Sequence, residues 1–143
     1  MRLLIINGVN LNMLGIREPE IYGNESYKDL VKKIKKYAHI KKIKVSFYIS
    51  NSEEKIVNKI QCAYGRFDGI IINPGAFAHY SIAILDSLKA VNIPYMEVHI
   101  SDIMQRDAFR KNLITSSSAI KLIYGEGFNG YLRAIDEFIK RQK

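Results

Sequence analysis

The feature that most restricts the possible folds is a run of β-branched, apolar residues, Gly69 to Asn73 (GIIIN). A strand with one face in water would alternate apolar and polar residues, so this run is typical of a central parallel strand buried on both faces. Asn73, Pro74 and Gly75 end the run, because these residue types favour turns. Parallel strands need long crossover connections, usually helices, which the rest of the chain has to supply.

The flanking sequence alternates as this arrangement requires. Apolar residues recur at helical spacing in four segments, and short apolar or alternating runs separate these segments. Ser26 and Ser52 stand where helix N-caps are expected. The predicted strands are residues 3–6, 45–49, 69–73, 95–100 and 120–124. The predicted helices are residues 27–38, 52–64, 80–90 and 131–139.

Five strands that alternate with helices form a parallel sheet covered on both faces, with right-handed crossovers. We therefore predict an α/β, flavodoxin-like three-layer sandwich with a five-stranded parallel sheet of order 2-1-3-4-5. The length of 143 residues suits a single domain, residues 1–143, with one continuous core. In this topology ligands bind at the carboxyl ends of the strands, near the point where the strand order reverses.

Residues 7–23 (NGVNLNMLGIREPEIYG) form a connection much longer than the usual length of about 2 to 6 residues. Apolar residues such as Leu11 and Leu14 should fold this loop back onto the domain, and its glycines can act as bends. A surface excursion with some packing is the alternative interpretation. The composition favours a working loop, with residues 7–12 as a fixed floor and residues 15–23 as a mobile lid.

The chain carries 22 Lys and Arg against 14 Asp and Glu, a formal charge of +8. This charge suits polyanions, membrane surfaces or small anionic substrates. Much of the excess lies in residues 32–44, where it fits the solvated outer face of a helix. Because aromatic residues for base stacking are not interleaved with it, nucleic-acid binding is a minor alternative.

The single cysteine, Cys62, cannot form an internal disulfide, and its apolar helical surroundings predict a small buried side chain. Met1 leads directly into a strand without the features of a signal peptide. No apolar run approaches the ~20 residues of a membrane span. We expect a soluble, cytoplasmic protein.

Polar side chains cluster after the first, third and fourth predicted strands. They lack the ligand spacing of a zinc site and the glycine-rich loop of a nucleotide site. The first strand also lacks the acidic residues of a phosphoryl-accepting domain, so proton transfer is the chemistry that remains. The residues that the fold brings towards one crevice are Asn10, Arg17, Tyr22, Asn73, His79, His99 and Arg110.

Tyrosine acts as a base near neutral pH only where a cation stabilises the phenolate. Arg17, five residues before Tyr22, can provide that cation, and Arg110 suits a substrate carboxylate. His99 can act as a general acid. Each of these residues also has a purely structural interpretation, as a packing or hydrogen-bonded side chain. Their joint position at one sheet edge favours catalysis.

Four segments of the sequence carry recognisable motifs: residues 7–23, residues 73–88 (NPGAFAHYSIAILDSL), VHIS with the spaced Arg106, Phe109 and Arg110, and GEGFNGY near the end. In order and at matching separations, these segments resemble the signatures of the type II 3-dehydroquinate dehydratases, flavodoxin-like enzymes of the shikimate and quinate pathways. The match covers nearly the whole chain, and four ordered motifs are far more specific than any one.

The resemblance implies reversible anti dehydration of 3-dehydroquinate to 3-dehydroshikimate through an enolate, without metal, cofactor or Schiff base. Tyr22 would be the base, as tyrosinate, with Arg17 stabilising its charged form. Asn10 would hold the water that supports the enolate oxygen. His99 would protonate the departing C1 hydroxyl, and Glu97 would orient His99.

The resemblance also implies substrate contacts and an assembly. Asp86 matches an acid that family members contribute across a subunit boundary, so a dodecamer of four trimers is expected, with Asp86 reaching a neighbouring subunit's site. The residues expected at the substrate hydroxyls are Asn73, His79 and Arg110. The backbone N–H groups of Ile100 and Ser101 are expected at its carboxylate.

The chain departs from the family pattern at a few positions. Asp102 replaces the usual asparagine, Val9 replaces a proline, and residues 111–113 leave the usual histidine and serine pattern. Within ~4 Å of a substrate carboxylate, Asp102 would cost about 1 to 4 kcal/mol. The alternatives are that Asp102 points away or pairs with Arg106.

Overall fold

A single parallel sheet forms the centre of the computed structural model, which describes residues 1–143. The strands are β1 (Arg2–Asn7), β2 (Lys44–Ile49), β3 (Gly69–Asn73), β4 (Tyr95–His99) and β5 (Lys121–Tyr124). Their order in the sheet is β2-β1-β3-β4-β5, as predicted. Each neighbouring pair is parallel, and β1 is hydrogen-bonded to both β2 and β3.

Helices cover both faces of the sheet, which confirms the predicted three-layer α/β architecture. The α-helices are α1 (Pro19–Tyr22), α2 (Tyr27–Ile40), α3 (Glu53–Cys62), α4 (Ile82–Val91) and α5 (Asn129–Arg141). One core cluster lies between the sheet and the helices α2 and α5, and it includes Leu30 and Ile135. The other core cluster lies between the sheet and the helices α3 and α4, and it includes Ile60 and Leu88.

Serine caps fix the starts of three helices. Ser26 and Asp29 form a reciprocal capping box at α2, and Ser52 accepts a hydrogen bond from the backbone of Lys55 at α3, as predicted. Ser81 caps α4, so this helix begins at Ile82 and not at the predicted residue 80. No helix is long and apolar enough to span a bilayer.

The predictions for the end of α3 were partly wrong. Cys62 is exposed, because it follows the buried Ile60 by two positions, about 200° around the helix. Tyr64, expected on the apolar face, lies beyond the last helical residue and is 72% exposed. Gly65, with a φ of +71°, turns the chain away from the helix.

Backbone approaches backbone where the loops after β1 and β3 meet. The Gly8 N–H donates to the Asn73 carbonyl at 2.7 Å. A Cβ atom at Gly8 would lie 2.1 Å from the carbonyl oxygen of Pro74, and one at Gly75 would lie 2.6 Å from that of Val9. Both positions therefore require glycine, and the two loops form one rigid floor at the carboxyl edge.

The connection from β4 to β5 consists of three short 3-10 helices, Ile103–Gln105, Ala108–Lys111 and Thr115–Ser118. We call residues 101–118 the β4–β5 segment, because its side chains and carbonyls reach several parts of the site described next.

Candidate active site

One cavity, partly open to solvent, lies at the carboxyl ends of β1, β3 and β4. This is the edge where the strand order reverses and where the polar motifs were predicted to meet. Its lining includes every residue of the predicted crevice: Asn10, Arg17, Tyr22, Asn73, His79, His99 and Arg110. Ile100, Ser101 and Arg106 line it as well.

Two arginines surround Tyr22. Arg106 donates a hydrogen bond from its guanidinium to the Tyr22 hydroxyl oxygen at 2.8 Å. Arg17 instead lies against the ring, with its guanidinium carbon 4.7 Å from the ring centroid. The structure therefore places Arg17 beside the aromatic face and Arg106 at the oxygen. The sequence indicated Arg106 as part of the third motif and as an alternative partner of Asp102, but not as a partner of Tyr22.

The loop between β1 and α2 packs over the cavity. Leu11 and Leu14 are buried and fasten it to the domain, as predicted from their apolar character. Pro19 begins α1, and Gly23, with a φ of +84°, ends it directly after Tyr22. Asn10 adopts a left-handed conformation, and its N–H donates to the Asn51 side chain at 2.9 Å. This arrangement brings residues 10–22 over the floor formed by the loops after β1 and β3.

A buried acid supports His99. Oε1 of Glu97 lies 2.7 Å from His99 Nε2. The other carboxylate oxygen accepts a hydrogen bond from the Thr115 hydroxyl at 2.6 Å. Glu97 and Thr115 are both fully buried, whereas His99 is 5% exposed and reaches the cavity.

His79 lines the cavity in a half-buried position. Its Nδ1 lies 2.9 Å from the carbonyl oxygen of Asn112, to which it donates when that nitrogen carries the hydrogen. Burial lowers the pKa of His79, and the carbonyl contact partly opposes this effect. The positive charges of His99 and Arg110 lower the pKa of His79 further.

Asn73 belongs to a buried polar network beneath the cavity. Its Nδ2 donates to the Tyr131 hydroxyl at 3.0 Å, and its Oδ1 accepts from the Gly75 N–H at 3.1 Å. The Tyr131 hydroxyl in turn donates to Oδ1 of Asn7 at 2.5 Å. Nδ2 of Asn7 is buried without a hydrogen-bond partner. The network fixes the Asn73 amide plane, because its oxygen and nitrogen have different partners.

Several donors at the cavity are not used within the protein. Neither the Ile100 N–H nor the Ser101 N–H donates to a protein acceptor. Arg110 contacts Asp107 through Nε alone, at 3.3 Å, so its two terminal nitrogens have no protein partner. Unpaired N–H groups at the end of a strand suit an anionic oxygen, and a guanidinium fork suits a carboxylate or paired hydroxyls.

Asp102 and Asp86 lie outside the cavity lining. Asp102 is exposed and accepts a hydrogen bond from the Met104 N–H at 3.1 Å, capping a 3-10 helix. Of the two alternatives, Asp102 therefore points away and does not pair with Arg106. Asp86 is exposed on α4. No three His, Cys, Asp or Glu side chains lie close enough together to hold a metal ion.

The sequence matches the family model described as dehydroquinase class II over residues 1–139. The chain belongs to this family. Among class II dehydroquinases of known structure, that of Butyrivibrio crossotus is 50% identical and superposes with a TM-score of 0.95, covering 97% of each chain. That of Propionibacterium acnes is 36% identical with a TM-score of 0.93, covering 97% of this chain and 96% of the other.

A curated relative gives the same assignment. The 3-dehydroquinate dehydratase of Clostridium acetobutylicum is 50% identical over 135 residues, which are 94% of each chain. The class II dehydroquinase family and the hydro-lyase class, both predicted from the sequence motifs, are therefore confirmed.

Proposed function

We propose that this class II dehydroquinase dehydrates 3-dehydroquinate to 3-dehydroshikimate by reversible anti elimination through an enolate. The observation that carries the proposal is that two residues lining one cavity each contact a charged partner. Tyr22 bears a guanidinium at its oxygen, and His99 bears a buried carboxylate at its ring. An elimination requires a base and an acid, and here a positive group stabilises the anionic base while a negative group stabilises the cationic acid.

Tyr22 acts as the base in this proposal. As tyrosinate it takes the C2 proton next to the ketone, and the electron pair of the C–H bond moves into the enolate. Arg106 stabilises the phenolate oxygen directly, and Arg17 adds positive charge at the ring. Asn10, at the edge of the same cavity, holds the water that supports the enolate oxygen.

His99 completes the reaction as the general acid. The enolate returns its electron pair, the C1–O bond breaks, and the proton of the imidazolium joins the departing hydroxyl to give water. Glu97 stabilises the imidazolium, because a buried carboxylate 2.7 Å from Nε2 favours the charged ring. At the end of the reaction Tyr22 carries its hydroxyl proton and His99 is neutral, and the reverse reaction starts from these two states.

The cavity also suits the substrate's charge. Arg17, Arg106 and Arg110 line it, while the Glu97 carboxylate is buried behind His99. We assign the substrate carboxylate to the unpaired N–H groups of Ile100 and Ser101, and the substrate hydroxyls to Arg110, His79 and Asn73. Oxygen atoms of a carboxylate and of vicinal hydroxyls are the acceptors that such donors require.

We further propose that Asp86 reaches the site of a neighbouring subunit in a dodecamer of four trimers. The exposed position of Asp86 on α4 supports this, since within its own chain it lies outside the cavity lining. Large apolar side chains close by in sequence are also exposed, Tyr80 at 59% and Ile82 at 60%. Sedimentation of the wild type and of Ile82→Asp tests the assembly: a monomeric wild type contradicts it.

The activity is tested by the ultraviolet absorbance of the conjugated enone formed from 3-dehydroquinate. We expect turnover that is insensitive to chelator and to borohydride. Tyr22→Phe keeps the ring and removes only the oxygen, so we expect a fall in kcat of at least about a thousandfold with unchanged folding. Near-normal turnover by that variant would exclude Tyr22 as the base, and no turnover by the assembled wild type would exclude the function. The cytoplasmic location stays a prediction.

A further inference from the structure

Thr115 occupies a position behind the acid half of the site that the proposed reaction does not yet use. It is fully buried, and its hydroxyl donates to Oε2 of Glu97 at 2.6 Å. Its own carbonyl oxygen accepts a hydrogen bond from the Tyr95 hydroxyl at 2.5 Å. Thr115 is thus held at its backbone and directed at Glu97 through its side chain.

The hydrogen count around Glu97 determines which groups carry protons. The Thr115 hydroxyl has a single hydrogen, and Oε2 of Glu97 is the one acceptor it contacts. If Glu97 were protonated at Oε2, that hydrogen would occupy the contact and the Thr115 hydrogen would be buried without an acceptor, which is costly. Oε2 therefore accepts from Thr115, and Oε1 is left to accept from His99 Nε2 when that nitrogen carries the hydrogen.

We propose that Thr115 is a positioning residue for the acid step, holding Glu97 ionised and aligned so that His99 presents Nδ1 to the substrate. Thr115 does not touch the cavity, and it acts only through Glu97. The proposal rests on the proposed role of His99 as the general acid.

This arrangement has a direct consequence for pH dependence. Glu97 supports the imidazolium of His99 only while its carboxylate is charged and in place. Without the Thr115 hydroxyl, the buried Oε2 has no partner and the charged carboxylate is disfavoured. The acid step then slows, and the pH dependence of kcat should change.

Other titratable groups lie around Glu97 and His99, and they remain in place in a Thr115 variant. Burial first, and then the charge of Glu97, raise the pKa of Tyr95 to about 12, so Tyr95 stays neutral in the working range. Tyr124 pairs with His99 in register across the sheet. The groups that share the cavity with His99 are His79, Tyr22, Arg17, Arg106 and Arg110.

The test compares Thr115→Val with Thr115→Ser. Valine keeps the shape and removes the donor, so we expect kcat to fall about tenfold to a hundredfold with KM changed less than about threefold. The pH profile of its kcat should also differ from that of the wild type. Serine restores the hydroxyl and should recover both properties. Ser116→Ala is the matched control, because Ser116 lies in the same short helix and its hydroxyl donates only to the Leu113 carbonyl.

A second background separates positioning from folding. In Glu97→Gln the proposed route of action is already broken, so adding Thr115→Val should lower kcat little further, whereas additive losses would overturn the proposal. An unchanged pH profile of kcat in Thr115→Val, or no recovery in Thr115→Ser, would overturn it too. His99→Asn tests the role of His99 separately from the role of Thr115. If His99→Asn retains wild-type kcat, His99 is not the general acid, whatever the Thr115 variants show.

Discussion

The guanidinium of Arg106 and the hydroxyl oxygen of Tyr22 lie 2.8 Å apart, although the two residues are separated by 84 positions in the sequence. Tyr22 belongs to the loop after β1, and Arg106 to the β4–β5 segment. The same guanidinium donates to the Ser101 hydroxyl at 3.2 Å. This contact therefore ties the loop that carries the proposed base to the strand end that carries the proposed acid.

We expect Arg106→Gln to lower kcat on the order of a hundredfold. Glutamine can still donate a hydrogen bond to Tyr22 but lacks the positive charge that stabilises a phenolate. The pH dependence of the remaining activity should differ from that of the wild type. Steady-state rates across pH provide the measurement, and Arg133→Gln, an exposed arginine paired with Glu126, is the control for the lost charge. Equal pH profiles for Arg106→Gln and the wild type would contradict this role.

Asp102→Asn should change KM for 3-dehydroquinate by less than about twofold. The Asp102 carboxylate caps a 3-10 helix outside the cavity, so the expected repulsion of about 1 to 4 kcal/mol does not apply. Asparagine is also a good cap, whereas Asp102→Ala should lower the free energy of unfolding by about 0.5 to 2 kcal/mol. A KM that falls tenfold in Asp102→Asn would mean that Asp102 does approach the bound substrate.

The stability of the fold should decline as the pH falls below about 6.5, partly because of His79. Burial depresses the pKa of His79 in the folded state, so the folded protein binds fewer protons than the unfolded chain in this range. The contribution is complete above the unfolded pKa and is lost as the pH falls through the lower folded value. Urea unfolding at pH 7.5 and pH 5 should show a smaller difference for His79→Gln than for the wild type. The exposed His39, changed to Gln, should leave that difference intact.

Tyr131→Phe should lower the free energy of unfolding by about 1 to 3 kcal/mol. The ring remains, but Oδ1 of Asn7 and Nδ2 of Asn73 lose their partner at buried positions. Burial keeps the Tyr131 hydroxyl neutral by raising its pKa, so the effect should not depend on pH between 6 and 9. Denaturant titration measures it against Tyr64→Phe, in which an exposed hydroxyl is removed. Equal stability of the two variants would show that the network is dispensable.

The sheet and the convergence of the site could be predicted because both depend on local pattern and on topology. The apolar run of β3 and the alternation of strands and helices restrict the order of the sheet, and the order determines which strand ends are neighbours. Asn73 is the last residue of β3 and His99 the last residue of β4, so their meeting required no knowledge of side-chain conformation.

The partners within the site were harder to predict. Arg106 reaches Tyr22 because a 3-10 helix ends at Gln105, and periodicity does not specify so short an element. Thr115 meets Glu97 from a segment whose sequence, ITSSS, has neither helical nor strand periodicity. Cys62 was assigned to the wrong face because apolar residues surround it in the sequence, whereas the direction of its side chain depends on its angle around α3.

The backbone contact between Gly8 and Pro74 limits how this site can change over evolutionary time. Two main chains touch there without intervening side chains, so no substitution can widen the floor by small steps. New substrate preferences would have to come from the walls, through positions such as Ala76 and Ile103, whose side chains line the cavity. A library that randomises Gly8 should yield almost no folded members, whereas one that randomises Ala76 should yield many.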